Sequence, residues 1–264
     1  LSGMTVPLPH VPGVDGAGEI AALGPGVTGF APGERVMPHF VLACGHCRQC
    51  LAGHENICED FGILGATCPG TYAQYVSVGA HHLMRVPAAV DDVAAAGGFV
   101  PFATAWEALV EEGAITAGQS VLVNAAGSGV GSAAVQVAHL AGTRVLATAG
   151  SDAKLEQAAA LGADEGINYN DTDITSAVLE LTGGRGVDLA LDMVGGEVLR
   201  QSIAAVAAGG RVVSVGAHAG EVVDIDMITL FRKHVSVHGC GRSTRATGEH
   251  VLRLMAAGRL RPVV

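Results

Sequence analysis

The order of apolar and polar positions divides the chain into two parts with different patterns. Up to about residue 100, short β-like runs at 18–23, 35–37 and 71–78 are separated by turns rich in glycine and proline, such as 24–26 and 31–33. Short runs bounded by such turns are typical of strands. The first part therefore predicts a small all-β domain.

From about residue 100, apolar runs alternate with helical stretches. Strands are predicted at 120–126, 144–149, 166–169, 187–194, 211–217 and 235–240, and helices at 132–141, 152–161, 173–182, 197–207 and 245–257. Repeated alternation of strand and helix favours a parallel sheet covered by helices. The sequence therefore predicts an α/β protein with a doubly wound parallel sheet.

Composition and charge exclude several classes of protein. Hydrophobic residues make up 49% of the chain and charged residues 15%, which excludes intrinsic disorder. The formal net charge of −10 disfavours a nucleic-acid partner. Glycine and polar residues interrupt every apolar run before the length of about 18 residues that a membrane span needs. We expect a cytoplasmic protein without a membrane partner, whose natural start lies upstream of Leu1.

Four cysteines lie within fifteen residues, in the spacing C-x2-C-x2-C-x7-C. Four thiolates this close in sequence can surround one Zn²⁺ ion and fill all of its coordination positions, which predicts a structural zinc. An iron–sulfur cluster is the alternative, although the spacing differs from the ferredoxin patterns. We expect His46 and His54 to be surface residues, and Cys68 and Cys240 to be small buried hydrophobes. The predicted zinc ligands are Cys44, Cys47, Cys50 and Cys58.

A glycine-rich turn follows the first strand of the α/β part, in the run 120–131. Small residues let the backbone approach a pyrophosphate, and the start of the following helix attracts its negative charge. A tight turn that binds nothing is the alternative. The strand before the turn and the helix after it favour a dinucleotide site.

The end of the second strand indicates which dinucleotide binds. An NAD site usually has an acidic residue there, but this strand ends in Gly150 and Ser151, and Asp152 is predicted to cap the next helix. Ser151 can donate a hydrogen bond and Lys154 carries a positive charge, as a 2′-phosphate requires. The predicted cofactor is therefore NADP(H). Alternatively, Lys154 is an ordinary solvated helix residue.

Together these features resemble the medium-chain dehydrogenase/reductase superfamily, which includes zinc alcohol dehydrogenases and quinone oxidoreductases. The resemblance implies a partial GroES-like β-barrel domain at 1–101 with the zinc loop 44–58, and a Rossmann domain at 102–260. Residues 261–264 would begin a truncated return segment, and terminal segments typical of the family are expected to be missing. Hydride transfer would occur in the cleft between the domains. The segments that carry the resemblance are 9–20, 44–58, 70–78, 101–109, 125–131, 148–169 and 209–217.

The resemblance also implies roles for individual residues. Phe40 matches an aromatic residue of the substrate pocket, with simple core packing as the alternative, and Thr104 matches a residue beside the nicotinamide. These two are the catalytic candidates. The other implied cofactor-binding residues are Gly127, Ser128, Gly129 and Val130 at the pyrophosphate, Gly150, Ser151, Lys154 and Tyr169 at the 2′-phosphate, and Val194, Gly216 and Ala217 at the nicotinamide.

The family's catalytic zinc is held by an early cysteine, the histidine of a Gly-His-Glu motif and a later cysteine. Val14 stands at the histidine position and Val100 at the later cysteine position, and the first ligand would lie before Leu1. The chemistry therefore resembles that of the zinc-free quinone reductases. His39 and His218 are weak candidates for proton donors.

The expected function is NADPH-dependent hydride transfer to a quinone, an enone or another small-molecule carbonyl substrate. A zinc alcohol dehydrogenase with unusual ligands, a non-catalytic NADPH-binding protein and an acyl-carrier reductase module are the alternatives. The family often forms dimers or tetramers through the last strand of the sheet. We therefore expect a homodimer or homotetramer joined near residues 235–240.

Overall fold

The computed structural model describes residue 6 and residues 8–264. Residues 1–5 and 7, which the predicted first domain includes, lie outside the described part. The chain divides into two compact units, Leu1–Ala103 with Arg242–Val264, and Thr104–Gly241. The predicted boundary at 101/102 lies close to the division after Ala103. The division before Arg242 differs from the prediction, which extended the Rossmann domain to residue 260.

The described residues form eleven strands and eight α-helices. The strands are β1 (Gly18–Glu19), β2 (Arg35–Pro38), β3 (Val41–Leu42), β4 (Gly62–Ile63), β5 (Leu83–Arg85), β6 (Ser120–Val123), β7 (Arg144–Ala149), β8 (Glu165–Asn168), β9 (Val187–Asp192), β10 (Val206–Ser214) and β11 (Ser236–Gly239). The helices are α1 (Arg48–Leu51), α2 (Asp92–Trp106), α3 (Gly129–Leu140), α4 (Asp152–Ala160), α5 (Ile174–Leu181), α6 (Gly196–Ala205), α7 (Met227–Arg232) and α8 (Arg245–Ala256).

The second unit is built on a six-stranded sheet in the order β11-β10-β9-β6-β7-β8. Its strand pairs are all parallel, and β6 and β9 lie side by side at the centre. Numbered from β6, this is the 3-2-1-4-5-6 order of a Rossmann fold. The predicted doubly wound parallel sheet is thereby confirmed. Its direction of winding reverses between β6 and β9, which is where such sheets bind their ligands.

The central strands are buried because helices cover the sheet. Val121, Leu122 and Val123 of β6 are each 0% exposed. A strand buried on both faces reads as a continuous apolar run, which explains why β6 and β7 were predicted so directly from the sequence. Leu122, Leu146 and Val212 belong to one core cluster that links three strands.

The first unit contains two small antiparallel pairings, β1-β2-β5 and β3-β4. The predicted strand at 71–78 is wrong: residues 71–74 form bends and residues 75–78 have no regular secondary structure, while the backbone N–H groups of Thr71 and Tyr72 donate hydrogen bonds to the carbonyls of Gly13 and Pro12. Alternating residues make a strand only where a partner strand is available, and no described strand pairs with this segment. Tyr72 and Tyr75 are accordingly exposed.

Helix α8 belongs to the first unit, whereas the sequence placed it in the Rossmann domain. A Cβ atom at Gly248 would lie 2.7 Å from the ring of Phe99 and 3.0 Å from the sulfur of Met84. Val251 and Leu252 on the same helix are buried. The amphipathic pattern located the helix, but only these contacts show which core it covers.

The sequence did not predict helix α2, which continues into a π-helical stretch at Glu107–Glu112. A glycine pair at 97–98 and Pro101 disfavour a helix, yet tertiary packing keeps this helix continuous: Phe99 and Phe102 are each 1% exposed. Within the described residues, Asp92–Glu112 is the one stretch long and apolar enough to cross a membrane by length and composition. The sequence had predicted none. Half of its apolar window is buried inside the protein, as in a core helix.

Candidate cofactor and metal sites

The four predicted zinc ligands lie together in the first unit. Their sulfur atoms are all within 4.8 Å of one another, with Cys44 and Cys50 at 4.0 Å and Cys47 and Cys58 at 3.9 Å. A tetrahedron with Zn–S bonds of about 2.3 Å has edges of about 3.8 Å. The cysteine arrangement therefore fits a zinc ion. His46 and His54 are outside the group, as expected, and Cys68 is half-buried while Cys240 is buried.

Backbone N–H groups surround the sulfur atoms. Cys44 donates to Cys58 Sγ at 3.3 Å, and Cys47 donates to Cys44 Sγ at 3.3 Å. Hydrogen bonds from the backbone of Cys50 and Glu59 lower the pKa of the Cys47 thiol to about 6, which favours the thiolate that a metal needs. Desolvation raises the pKa of Cys50 to about 12. A cation offsets the cost of placing several thiolates side by side.

The zinc loop is fastened to the segment that leads into α8. Asn56 Nδ2 donates to the carbonyl of Arg242 at 3.5 Å, and Arg242 Nε donates to the carbonyl of Asn56 at 2.5 Å. The Arg242 guanidinium lies 3.8 Å from the ring centroid of Phe61. The Arg245 backbone N–H donates to Glu55 Oε1 at 2.8 Å. These contacts join residues 55–61 to residues 242–245, and we call them the loop clasp.

The glycine-rich turn lies after β6, at the point where the sheet reverses its winding. Ser128 caps α3, since its hydroxyl accepts a hydrogen bond from the Gly131 N–H at 3.0 Å. A Cβ atom at Gly131 would overlap the carbonyl oxygen of Ala125, so the close approach of helix and turn requires glycine. Gly127, Ser128 and Gly129 are exposed, which leaves the turn open to an anionic ligand at the start of the helix.

The sequence did not predict the buried polar network that lies under this turn. Asn124, 0% exposed, donates to Ser202 Oγ at 2.8 Å and accepts from Thr148 Oγ1 at 3.2 Å. The Ala125 N–H donates to Thr148 Oγ1, and Ala125 has a left-handed backbone with φ 49°. The network fixes the turn to β7 and α6. A polar residue at the end of an apolar strand, as Asn124 is, was the signal available in the sequence.

The residues predicted to bind the 2′-phosphate surround the end of β7. A Cβ atom at Gly127 would lie 2.8 Å from Cδ of Lys154, so the lysine chain lies beside the glycine-rich turn. A Cβ atom at Gly150 would lie 2.6 Å from the hydroxyl oxygen of Tyr169. Ser151 is the N-cap of α4 but makes no side-chain capping hydrogen bond. The structure thus brings together three elements that are remote in sequence.

The predicted role of Asp152 as a helix cap is wrong, because Ser151 occupies the N-cap position and Asp152 is the first helical residue. The Asp152 carboxylate accepts a hydrogen bond from Asn168 Nδ2 at 3.1 Å. It is therefore engaged with the end of β8.

The residues predicted at the nicotinamide lie on the other side of the glycine-rich turn, after β9 and β10. Ser128 Oγ lies 3.2 Å from the sulfur of Met193, which connects the turn to the end of β9. Val194 is half-buried, and its carbonyl accepts a hydrogen bond from the Ala219 N–H at 2.7 Å. A Cβ atom at Gly216 would lie 2.8 Å from the carbonyl oxygen of Met193. Ala217, next to Gly216, is exposed.

The two catalytic candidates lie in different units. Phe40 is 9% exposed, with its ring 5.4 Å from that of His39, so it packs within the first unit. Thr104 is a half-buried residue of α2. His39 is buried, desolvation lowers its pKa, and its Nδ1 lies 3.3 Å from the carbonyl of Val41. His39 is therefore neutral at pH 7, whereas His218 is exposed.

The four cysteines are the one group of three or more histidine, cysteine or acidic residues that could hold a metal within the described part of the chain. Among the described residues, no such group lies next to Val14 or Val100, which stand where the resemblance implies ligands of the family's catalytic zinc. Within that described part, the donor atoms therefore fit one zinc ion, at the four cysteines.

Comparisons with known proteins show the family to which the chain belongs. The chain matches the alcohol dehydrogenase GroES-like domain over residues 1–88 and the zinc-binding dehydrogenase family over residues 129–257. It is 33% identical over 262 residues to the L-threonine 3-dehydrogenase of Anaeromyxobacter sp. (strain K), covering 97% of this chain and 74% of that protein.

Solved structures are also similar. The crystal structure of an NAD-dependent alcohol dehydrogenase has a TM-score of 0.91 and 41% identity, over 98% of this chain and 75% of that one. A zinc-binding dehydrogenase from Sinorhizobium meliloti 1021, described as putative and bound to NADP, has a TM-score of 0.88 and 28% identity, over 97% of this chain and 75% of that one. The chain therefore belongs to the medium-chain dehydrogenase/reductase superfamily of zinc-binding dehydrogenases.

Proposed function

We propose that this protein is an NADPH-dependent oxidoreductase that transfers hydride to a quinone, an enone or another carbonyl substrate. In this proposal its zinc is structural. The observation that carries the proposal is the arrangement at the end of β7, where Lys154 lies beside Gly127 of the glycine-rich turn and Tyr169 lies beside Gly150. The hydroxyl of Ser151 makes no capping bond there, and the carboxylate of Asp152 is engaged with Asn168.

The cofactor supplies the hydride from its nicotinamide ring, and the chain supplies binding and orientation. The exposed turn at 127–129 presents backbone to the pyrophosphate at the start of α3. Lys154 provides the positive charge for a 2′-phosphate, while the hydroxyls of Ser151 and Tyr169 provide hydrogen bonds. Val194, Gly216 and Ala217 border the other half of the cofactor, and Thr104 contacts the nicotinamide.

The choice of substrate follows from the donor atoms on the chain. Oxidation of a simple alcohol requires stabilisation of an alkoxide, which dehydrogenases commonly obtain from a metal ion. Val14 and Val100 offer no ligand atom for one. A quinone or an enone is electron-poor and accepts hydride with less help, and solvent can protonate the product.

Alcohol oxidation is the second candidate, and the comparisons favour it. The similar proteins are an L-threonine 3-dehydrogenase and an NAD-dependent alcohol dehydrogenase. That activity would need a second metal held by unusual ligands. A second equivalent of bound metal per chain, together with turnover of alcohols and NAD⁺, would select this candidate.

The test begins with fluorescence titrations of the protein with NADPH and NADH. We expect NADPH to bind at least tenfold more tightly, as a charge-assisted contact to the 2′-phosphate implies. Oxidation of NADPH is then followed with a panel of quinones, enones and aldehydes, and metal content is measured in parallel. Preference for NADH would contradict the cofactor assignment. Tight NADPH binding without turnover of any acceptor would favour a non-catalytic binding protein.

We also propose that two copies of the chain associate through β11, which is the outermost strand of the sheet. Val237 on this strand is 39% exposed, and on the nearby helix α7 Met227 is 60% and Phe231 is 61% exposed. An open edge strand beside exposed apolar side chains is a surface that pairs with another strand. Light scattering should show a dimer or tetramer, and Val237→Lys should shift it towards the monomer. An unchanged assembly would place the interface elsewhere.

A further inference from the structure

The position of the nicotinamide half follows from the topology of the sheet. A dinucleotide lies across the carboxyl ends of the strands, with its pyrophosphate at the turn after the first strand of the fold. Lys154 and Tyr169 place the 2′-phosphate, and hence the adenosine half, on the side of β7 and β8. The other half must then extend over the ends of β9 and β10. The chain forms two loops there, at 193–196 and 215–220, which we call the loop pair.

The loop pair is closed by backbone hydrogen bonds. The Ala219 N–H donates to the carbonyl of Val194 at 2.7 Å, and the Gly196 N–H donates to the carbonyl of Gly220 at 3.1 Å. Gly195 has φ 73° and Gly196 has φ 53°, a left-handed turn that suits glycine. The two loops therefore form one surface at the predicted nicotinamide end.

One buried carboxylate holds this surface from below. Asp192, the last residue of β9, is 0% exposed. Its Oδ2 accepts a hydrogen bond from the Gly195 N–H at 3.0 Å, and its Oδ1 accepts one from the Val194 N–H at 3.4 Å. Its backbone carbonyl accepts a further bond from Val215 at 2.8 Å, which ties the second loop to the same residue.

We infer that Asp192 is a positioning residue for the nicotinamide half of the cofactor, acting through the backbone of Val194 and Gly195. It does not touch the cofactor. It fixes the turn that carries the half-buried Val194, next to Met193, whose backbone lies against Gly216. This role rests on the proposed function, because it requires that the loop pair borders the nicotinamide half of bound NADPH.

A carboxylate suits this position better than a neutral side chain. Two backbone N–H groups, from Val194 and Gly195, point at the two oxygens of one side chain. An ionised carboxylate accepts with both oxygens, whereas an amide can accept with only one and directs its NH₂ group at the other N–H. Asp192→Asn therefore keeps the size of the side chain while it breaks one of the two bonds.

The experiment compares two ligands on Asp192→Asn: NADPH, and adenosine 2′,5′-bisphosphate, which contains only the adenosine half. We expect the Kd for NADPH to rise about tenfold and that for the bisphosphate to change by less than about twofold. A merely structural role for Asp192 would weaken the two ligands equally. Equal weakening, or no change in either, would overturn the inference.

Asp188→Asn is the matched control, because Asp188 lies on the same strand but its carboxylate accepts hydrogen bonds from Ser120 at the opposite end. It should bind both ligands as the wild-type protein does. If the wild-type protein binds neither ligand, the proposed function fails together with this role. If the wild-type protein binds both ligands, but Asp192→Asn weakens them equally or changes neither, only the role of Asp192 fails.

A second measurement covers the case in which Asp192→Asn does not fold. Amide hydrogen exchange of the wild-type protein without cofactor should be at least about tenfold slower at Val194 and Gly195 than at Val222, whose side chain is 92% exposed. Fast exchange at both amides would show that Asp192 does not hold the turn.

Discussion

The hydroxyl oxygen of Tyr169 lies 2.6 Å from the point that a Cβ atom at Gly150 would occupy. Tyr169 follows β8 and Gly150 follows β7, and these two strands are hydrogen-bonded neighbours. The absence of a side chain at Gly150 lets the phenol lie against the end of β7, four residues before Lys154, which lies beside Gly127 of the glycine-rich turn. This contact gives Tyr169, an otherwise ordinary strand-end aromatic, a place in the proposed 2′-phosphate site.

Lys154→Ala should weaken NADPH binding about tenfold or more and leave NADH binding within about twofold, because only NADPH carries the 2′-phosphate. Fluorescence titration with both cofactors measures this. Arg200→Ala is the control, since Arg200 is an exposed cation of the same unit that pairs with Glu197, and it should change neither affinity. Equal loss of NADPH and NADH affinity in Lys154→Ala would mean that the lysine supports the turn and does not select the cofactor.

Those parts of the fold that follow from local pattern were predictable from the sequence. Strand β7 has the predicted bounds, 144–149, because a buried parallel strand is a continuous apolar run that ends at polar residues. The cysteine spacing was likewise sufficient, because all four ligands lie in one short loop. In both cases neighbouring residues carry the whole signal.

Features that depend on partners remote in sequence were not predictable. The alternating run 71–78 lacks a strand partner in the described part of the chain, and α2 continues through Pro101 because its side chains are buried. Asp192 lies inside the predicted strand 187–194, and only the structure shows its two N–H donors. Local sequence does not encode which distant backbone a side chain will meet.

Gly131→Ala should destabilise the protein by about 1–3 kcal/mol and abolish tight NADPH binding. The added Cβ atom would overlap the Ala125 carbonyl oxygen, and this contact is with backbone that cannot rotate away. Gly24→Ala is the control, because nothing lies within 4 Å of a Cβ atom at Gly24. Thermal unfolding and NADPH titration measure the two effects. Wild-type stability and affinity in Gly131→Ala would contradict the close packing of turn and helix.

Removal of the zinc should loosen the loop clasp as well as the zinc loop. Glu55 and Asn56 lie between the ligands Cys50 and Cys58, and they hold Arg245 and Arg242 through hydrogen bonds. We expect chelation, or Cys58→Ser, to release about one zinc per chain and to speed hydrogen exchange at 242–250.

Exchange in the central strand β6 serves as the internal control and should not change, since its residues belong to another compact unit. Mass spectrometry of proteolytic peptides resolves these segments. If chelation speeds exchange only at 44–58, the clasp does not depend on the metal. If it speeds exchange everywhere, the zinc stabilises the whole chain.

The ion pair of Asp188 predicts a specific dependence of stability on pH. The hydrogen bond from Arg185, supported by bonds from Ser120, lowers the pKa of Asp188 from 3.8 to about 2. A carboxyl group whose pKa is lower in the folded state stabilises the fold above pH 3.8, and this contribution is lost as the pH falls towards 2.

Asp188→Asn should therefore reduce the free energy of unfolding by about 1–2 kcal/mol at neutral pH, after allowance for screening of the exposed Arg185. The difference from the wild-type protein should shrink as the pH falls from about 4 towards 2, because the Asp188 carboxyl of the unfolded wild-type chain binds a proton at a higher pH than that of the folded chain. Urea denaturation at a series of pH values measures this. Glu197→Gln, which breaks an exposed ion pair with Arg200, should cost less than about 0.5 kcal/mol at every pH. A difference for Asp188→Asn that stays constant down to pH 3 would show that the geometry of the side chain, and not its charge, stabilises the start of β6.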